Sequence, residues 1–170
     1  MKKFFKRWTS SIIICLFCML SLIGMMACTN NAEKNKLYIG DTFATWEKGL
    51  NMKVVNVSTA SIMEGKFTTY KATGKFVIVQ IAVRNNTNDI FYSFDSFVYL
   101  LYGETRLTQT TLIKNFSDTW DNIALSPTLT KSYYAVFDIG EQINVNELQI
   151  IIGNGFKHFV RVYLTEKPVA

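Results

Sequence analysis

Val77, Val79, Ile81 and Val83 stand at every second position of the run Phe76–Arg84, and this alternation constrains the fold more than any other feature of the chain. Successive side chains on a strand point to opposite faces, so these four β-branched residues share one face and need a second layer to cover them. Phe76, Ile78, Gln80, Ala82 and Arg84 make the other face, which grows more polar toward its end. Asn85-Asn86-Thr87-Asn88-Asp89 follows. Such short polar side chains bond the nearby backbone and tolerate left-handed conformations, which predicts a turn.

The remaining apolar runs are short and of the same kind. Leu50–Val57 alternates except at Val54-Val55, which predicts a β-bulge or a strand covered on both sides. Phe97–Tyr102 is a further apolar strand closed by Gly103-Glu104, and the span from there to Asn122 reads as a polar connection. In Lys131–Asp138, Tyr133, Ala135 and Phe137 share a face; Leu148, Ile150 and Ile152 follow, and the pattern leaves room for a short helical turn around Val145–Leu148. In the terminal segment Phe159, Arg161 and Tyr163 alternate with Val160, Val162 and Leu164. Short strands divided by turns, without an amphipathic helix of useful length, predict an all-β, antiparallel sandwich.

The amino terminus belongs to a different class of segment. Lys2, Lys3, Lys6 and Arg7 precede an apolar stretch, Ile12–Ala27, that is shorter than the roughly 20 residues of a spanning helix. Basic start and short apolar core together predict a secretory signal peptide, with a retained anchor helix as the alternative. Met25-Met26-Ala27-Cys28 resembles the lipobox of bacterial lipoproteins, with Met25 where leucine is usual. That resemblance implies a diacylglyceryl group on the thiol of Cys28, cleavage between Ala27 and Cys28, and a lipid anchor that labelling with a palmitate analogue would reveal. Each buried methylene contributes about 0.8 kcal/mol, so two acyl chains hold a domain stably at a bilayer where one does not. The expected location is the cell membrane, with the domain extracytoplasmic.

Cleavage changes the bulk properties. Four of the 18 basic residues leave with the signal peptide, so 14 face 13 acids and the formal charge of +5 dissolves. Nucleic-acid binding, which needs a basic patch to displace counterions, loses its support. Cys15 and Cys18 stand at C-x-x-C spacing inside the discarded core, and no cysteine follows Cys28. The domain therefore has no disulfide and no thiol nucleophile, and packing alone must stabilise it. Thr29–Lys36 is polar and aperiodic. The expected organisation is a signal peptide over 1–27, a lipid-anchored linker over 28–36 and one domain over 37–167.

A strand ending in Val83-Arg-Asn-Asn-Thr-Asn-Asp89, a Phe97 strand with Gly103 at its turn, and Leu125-Ser-Pro127 before a strand ending in Val136-Phe137-Asp138 form a recognisable pattern. It resembles a domain family of unknown function in bacterial lipoproteins, over Leu37–Leu164. The resemblance implies a telokin-like, immunoglobulin-like β-sandwich placed after a lipobox and a polar linker. The family often has glycine after the proline corresponding to Pro127. Here Thr128 takes that place, which leaves the conformation of the turn open.

Chemistry-bearing motifs are few. His158 is the one histidine of the chain and lies between aromatic residues, where a surface role is expected. A catalytic histidine needs a held nucleophile or acid, and a metal site needs several ligands. The segment 115–122 is the candidate binding loop, with Trp120 between Asp118 and Asp121. A tryptophan flanked by carboxylates can stack on a sugar ring or a peptide, or it can plug the end of a sandwich while the acids bond local backbone. Asp118 and Asp121 match glycoside hydrolysis in residue type alone, and no loop has calcium-ligand spacing. The Asn-x-Ser/Thr sites at Asn56, Asn85 and Asn115 read as chance. No catalytic residue, cofactor or metal ligand is predicted. The expectation is a non-enzymatic envelope lipoprotein whose sandwich is an interaction module for a protein or cell-wall partner. An extracytoplasmic hydrolase and a structural spacer are the alternatives.

Overall fold

Each alternating run becomes a strand, and the pairing of the strands follows from which faces they must bury. The computed structural model describes residues 36–45, 49–65, 68–92, 96–110, 118–120, 124–154 and 158–168. Ala27 and Cys28, most of the linker, and Asp121 lie outside the described residues. The described strands are β1 (Leu37–Tyr38), β2 (Thr42–Ala44), β3 (Leu50–Glu64), β4 (Thr69–Asn85), β5 (Phe91–Tyr92), β6 (Ser96–Tyr102), β7 (Thr105–Thr108), β8 (Ala124–Leu125), β9 (Thr130–Ile139), β10 (Leu148–Asn154) and β11 (His158–Tyr163).

They form a β-sandwich. One sheet has the order β1-β11-β10-β6-β7, the other β2-β3-β4-β9, and β5 pairs with β8 at one side. Among the described strands, all pairings are antiparallel except that of β1 with β11. The chain passes repeatedly between the layers: the β3–β4 hairpin lies in one sheet, β6 and β7 in the other, β9 back in the first, β10 and β11 in the second.

Val77, Val79, Ile81 and Val83 face inward and are fully buried against Leu50, Met52 and Val54 of β3, Tyr133, Ala135 and Phe137 of β9, and Val98, Leu100, Leu148, Ile150, Ile152 and Val162 of the opposite sheet. Full burial of one such side chain is worth about 1.5–3 kcal/mol, which sets this cluster as the main stabilising element. Among the described residues, the buried core residues lie between Phe43 and Leu164, within the compact unit Leu37–Ala170. A smaller cluster of Ala72, Phe76 and Val136, with Met63, Tyr70 and Ile78 packed on it, covers part of the other face of β4.

The break at Val54-Val55 is a bulge. Val54 pairs with Ile81 and Asn56 with Gln80, which leaves Val55 unpaired in the ladder and exposed. The turn around Val145 is a single 3-10 turn, Val145–Glu147, whose start is capped by the Asn144 side chain accepting from the Asn146 N–H. The polar connection expected after Gly103 needs correction, because Thr105–Thr108 forms β7. Gly103, at φ 57, makes a two-residue reversal that sets Tyr102 opposite Thr105, and backbone pairing then extends the sheet through residues with little hydrophobic signal.

Candidate functional site

The segment 118–120 is built into the edge of the four-stranded sheet. The Tyr134 N–H donates to the Asp118 carbonyl at 2.9 Å, Thr119 bridges Tyr134 in parallel, and the Thr110 N–H donates to the Val136 carbonyl at 3.0 Å. Residues on either side of 111–117 thus occupy polar groups that an uncovered β9 edge would leave open. Trp120 is 1 % exposed and belongs to the main core. Of the two roles read for Trp120, plug of the sandwich or stacking platform, the ring's burial is that of a plug. An indole gains more from core burial than from exposure in a loop, and the Asp118–Tyr134 bond helps position it there.

Asp118 holds a left-handed backbone conformation, φ 60, and its carboxylate forms an ion pair with the Lys131 ammonium. The hydrogen bond from Lys131 to Asp118, reinforced by the carboxylate's charge, raises the pKa of the ammonium above its ordinary value. Lys131 also sits 5.5 Å from the ring centre of Tyr133, whose hydroxyl is pushed up by burial. His158 opens β11 in the other sheet, exposed and opposite Asn154. Asp118 is therefore occupied structurally. Among the described residues, no cluster of three or more His, Cys, Asp and Glu side chains could hold a metal ion.

A second surface escaped the sequence reading. Since Val98, Leu100, Leu148, Ile150, Ile152 and Val162 point into the core, strand alternation turns Phe97, Tyr99, Ile151, Phe159, Arg161 and Tyr163 outward on the five-stranded sheet. Phe97 and Tyr99 stack at 5.6 Å between ring centres, and the Arg106 guanidinium lies 4.1 Å from the centre of Tyr99. Gly153 separates Phe97 from Phe159 in the cross-strand row. A Cβ there would stand 2.5 Å from the Phe97 ring, so glycine is what lets that ring lie across β10. Phe159 is 56 % exposed, while its neighbour Ile151 is buried by the surrounding side chains. The spacing of Phe97 with Tyr99, and of Phe159 with Arg161, carried this signal. Without β7, Arg106 had no place on it.

No protein family and no curated protein matches the chain by sequence. Its fold is similar to those of three bacterial proteins of solved structure. The YjhA protein of Bacillus subtilis matches with a TM-score of 0.57 at 12% identity, over 76% of this chain and 99% of that one. An uncharacterised β-sandwich protein of Clostridium difficile gives 0.53 at 14% identity, over 76% and 93%. A conserved hypothetical protein of Bacillus anthracis gives 0.52 at 13% identity, over 74% and 94%. At these identities the likeness is one of fold. The class defined by strand order, core and neighbours is a β-sandwich protein.

Proposed function

We propose that this chain is a lipoprotein of the bacterial envelope, anchored through lipid on Cys28, whose extracytoplasmic sandwich is a non-enzymatic interaction module for a protein or cell-envelope partner. The observation that carries the reading is the outer face of the five-stranded sheet, where exposed Phe159 lies near Arg161, with the stacked Phe97, Tyr99 and Arg106 completing the surface. Large exposed apolar side chains grouped with cations mark interaction surfaces. The basic start, short apolar core and Met25-Met26-Ala27-Cys28 support the address.

The finer, immunoglobulin-like assignment has support in the connectivity. With β3, β4 and β9 in the places of strands A, B and E, the strands β6, β10 and β11 take those of C, F and G in the facing sheet. The telokin-like relationship rests on the sequence resemblance alone.

Crosslinking in intact envelopes followed by purification of the protein tests the module. An envelope component is expected to co-purify and to be lost in Phe159→Ala/Arg161→Ala with folding unchanged. Recovery of nothing, or retention by the variant, sinks the reading. The anchor is tested separately: Cys28→Ser is expected to abolish palmitate-analogue labelling and cleavage, and an unlabelled full-length wild-type chain in the membrane overturns it.

A further inference from the structure

We infer that the outer face of the five-stranded sheet rests on an anionic lipid bilayer. The inference rests on the readings that Cys28 carries a lipid and that this face is the interaction surface, and it names anionic lipid as that surface's cell-envelope partner. Nine residue steps separate Cys28 from Leu37, and at about 3.5 Å a step a fully extended tether reaches about 30 Å. The domain is thereby held close to the surface it is anchored in. The tether joins β1, an edge strand of this sheet and not of the other, and Leu37 pairs with Val162, the residue after Arg161. Tyr38, opposite Tyr163, puts its ring 5.6 Å from that ring and extends the aromatic face to the point where the tether enters.

The chemistry of the face fits phosphate-bearing lipid. Strands β1, β6, β7, β10 and β11 contain Arg106 and Arg161 and no aspartate or glutamate; among the described residues the flanking acids Asp41, Glu104, Glu147 and Glu166 lie in connections beyond the strand ends, Asp41 accepting from the Tyr38 N–H. Among the described residues neither guanidinium has a hydrogen-bond or ion-pair partner. Stacking on Tyr99 occupies one flat side of the Arg106 guanidinium and leaves its in-plane N–H donors for phosphate oxygens. Aromatic side chains favour the headgroup level of a bilayer, and basic residues are drawn to the negative potential of anionic lipids. A soluble acidic polymer also satisfies the arginines, but it gives no reason for the tether to enter on this sheet.

The compact unit Leu37–Ala170, within which the core of the described residues closes, is sedimented with vesicles of equal parts phosphatidylglycerol and phosphatidylcholine, with phosphatidylcholine vesicles, and with peptidoglycan sacculi. Binding is expected to the mixed vesicles, weaker to phosphatidylcholine, and weakened further by salt. Arg106→Gln/Arg161→Gln is expected to lower vesicle affinity roughly thirtyfold, and Phe159→Ser to lower it as well. Lys53→Gln/Arg84→Gln, on the outer side of the other sheet, leaves it unchanged; each variant is first shown to keep the wild-type thermal transition. Equal binding to both vesicle types overturns the inference, as does no loss in the arginine variant, an equal loss in the Lys53/Arg84 variant, or binding to sacculi without binding to vesicles. A failed anchor shows instead as unlabelled Cys28 in cells, independently of the vesicle result.

Discussion

The side-chain amide of Asn85 donates to the carbonyl of Leu125 at 2.9 Å, tying the end of β4 to β8 across 40 residues of sequence. Its second N–H donates to the Asp89 carbonyl at 2.8 Å, and its oxygen accepts from the Thr87 N–H at 2.9 Å and the Thr87 hydroxyl at 2.7 Å. Both donors and both lone pairs are used, on a residue that is 0 % exposed. The turn read from Asn85–Asp89 is thus a buried polar hub, and the Asn-x-Thr site there has no accessible amide.

Asn85→Ala is expected to destabilise the domain by about 2–4 kcal/mol, because the backbone groups it serves stay buried without partners. Urea denaturation reads the loss. A change under about 0.5 kcal/mol would mean that the hub contributes no net stability.

Thr128 settles the turn that its family resemblance left open. It adopts φ 64 after Pro127, and the Leu129 N–H bonds the Ser126 carbonyl at 3.4 Å, as in a type II turn. The chain keeps a left-handed conformation without the glycine that suits it, at a cost of about 1–2 kcal/mol for a side chain with Cβ. Thr128→Gly is expected to raise stability by about 1 kcal/mol after glycine's own entropy loss, visible as a higher thermal midpoint.

Gly74 marks a second place where backbone dictates residue. Between Ala60↔Phe76 and Ile62↔Lys71 the ladder shifts register, and the Asp138 carboxylate accepts from the Thr73 N–H at 2.9 Å, the Thr73 hydroxyl at 3.0 Å and the Gly74 N–H at 3.5 Å. A Cβ on Gly74 would stand 2.4 Å from the Ile139 carbonyl oxygen. Gly74→Ala is expected to cost about 1–3 kcal/mol by displacing β9 from the bulge. Hydrogen exchange is expected to quicken first around Thr73–Lys75, and unchanged exchange there would refute the mechanism.

Trp120 shows how a binding residue and a core residue look alike in sequence. Trp120→Ala is expected to destabilise by about 3–5 kcal/mol, as large buried aromatics do, so loss of a partner in that variant reports unfolding and not contact. Trp120→Phe, milder in volume, separates the two: it is expected to keep partner binding while lowering the urea midpoint.

The inward faces were legible because a two-residue period of Val and Ile has one solution, a covered strand. Val77–Val83 and Leu148–Ile152 needed nothing else. Thr105–Thr108 and Ser58–Glu64 were not legible, since their pairing rests on backbone groups that every residue carries and their side chains show little alternation. The outer aromatic face was not read. The two-residue spacing of Phe97 and Tyr99 carried the signal of a shared face without being read as one, and only the β6–β7 hairpin brings Arg106 onto them. The choice between plug and platform for Trp120 was not legible, because burial of a loop tryptophan depends on a remote edge, that of β9, which local sequence does not announce.

Lys131 and Tyr133 give the domain an alkaline limit. Asp118 raises the Lys131 pKa from its usual 10.5, so the stabilisation from that ion pair is complete below pH 10.5 and is lost as pH rises through the higher folded value. Burial raises Tyr133 from its usual 10.0, opposed by the nearby Lys131 charge. Above pH 10.0 the unfolded chain releases the phenolic proton while the folded chain retains it, which again favours unfolding. Both groups therefore make stability fall as pH climbs past about 10, and neither affects its slope near neutrality. Because other lysines and tyrosines titrate there too, the informative quantity is the difference between wild type and variant in urea midpoints measured from pH 7 to 12. Lys131→Met and Tyr133→Phe are each expected to flatten the alkaline decline, with a small change at pH 7 for the exposed Lys131 pair. Parallel declines in wild type and both variants would show that neither group is linked to folding.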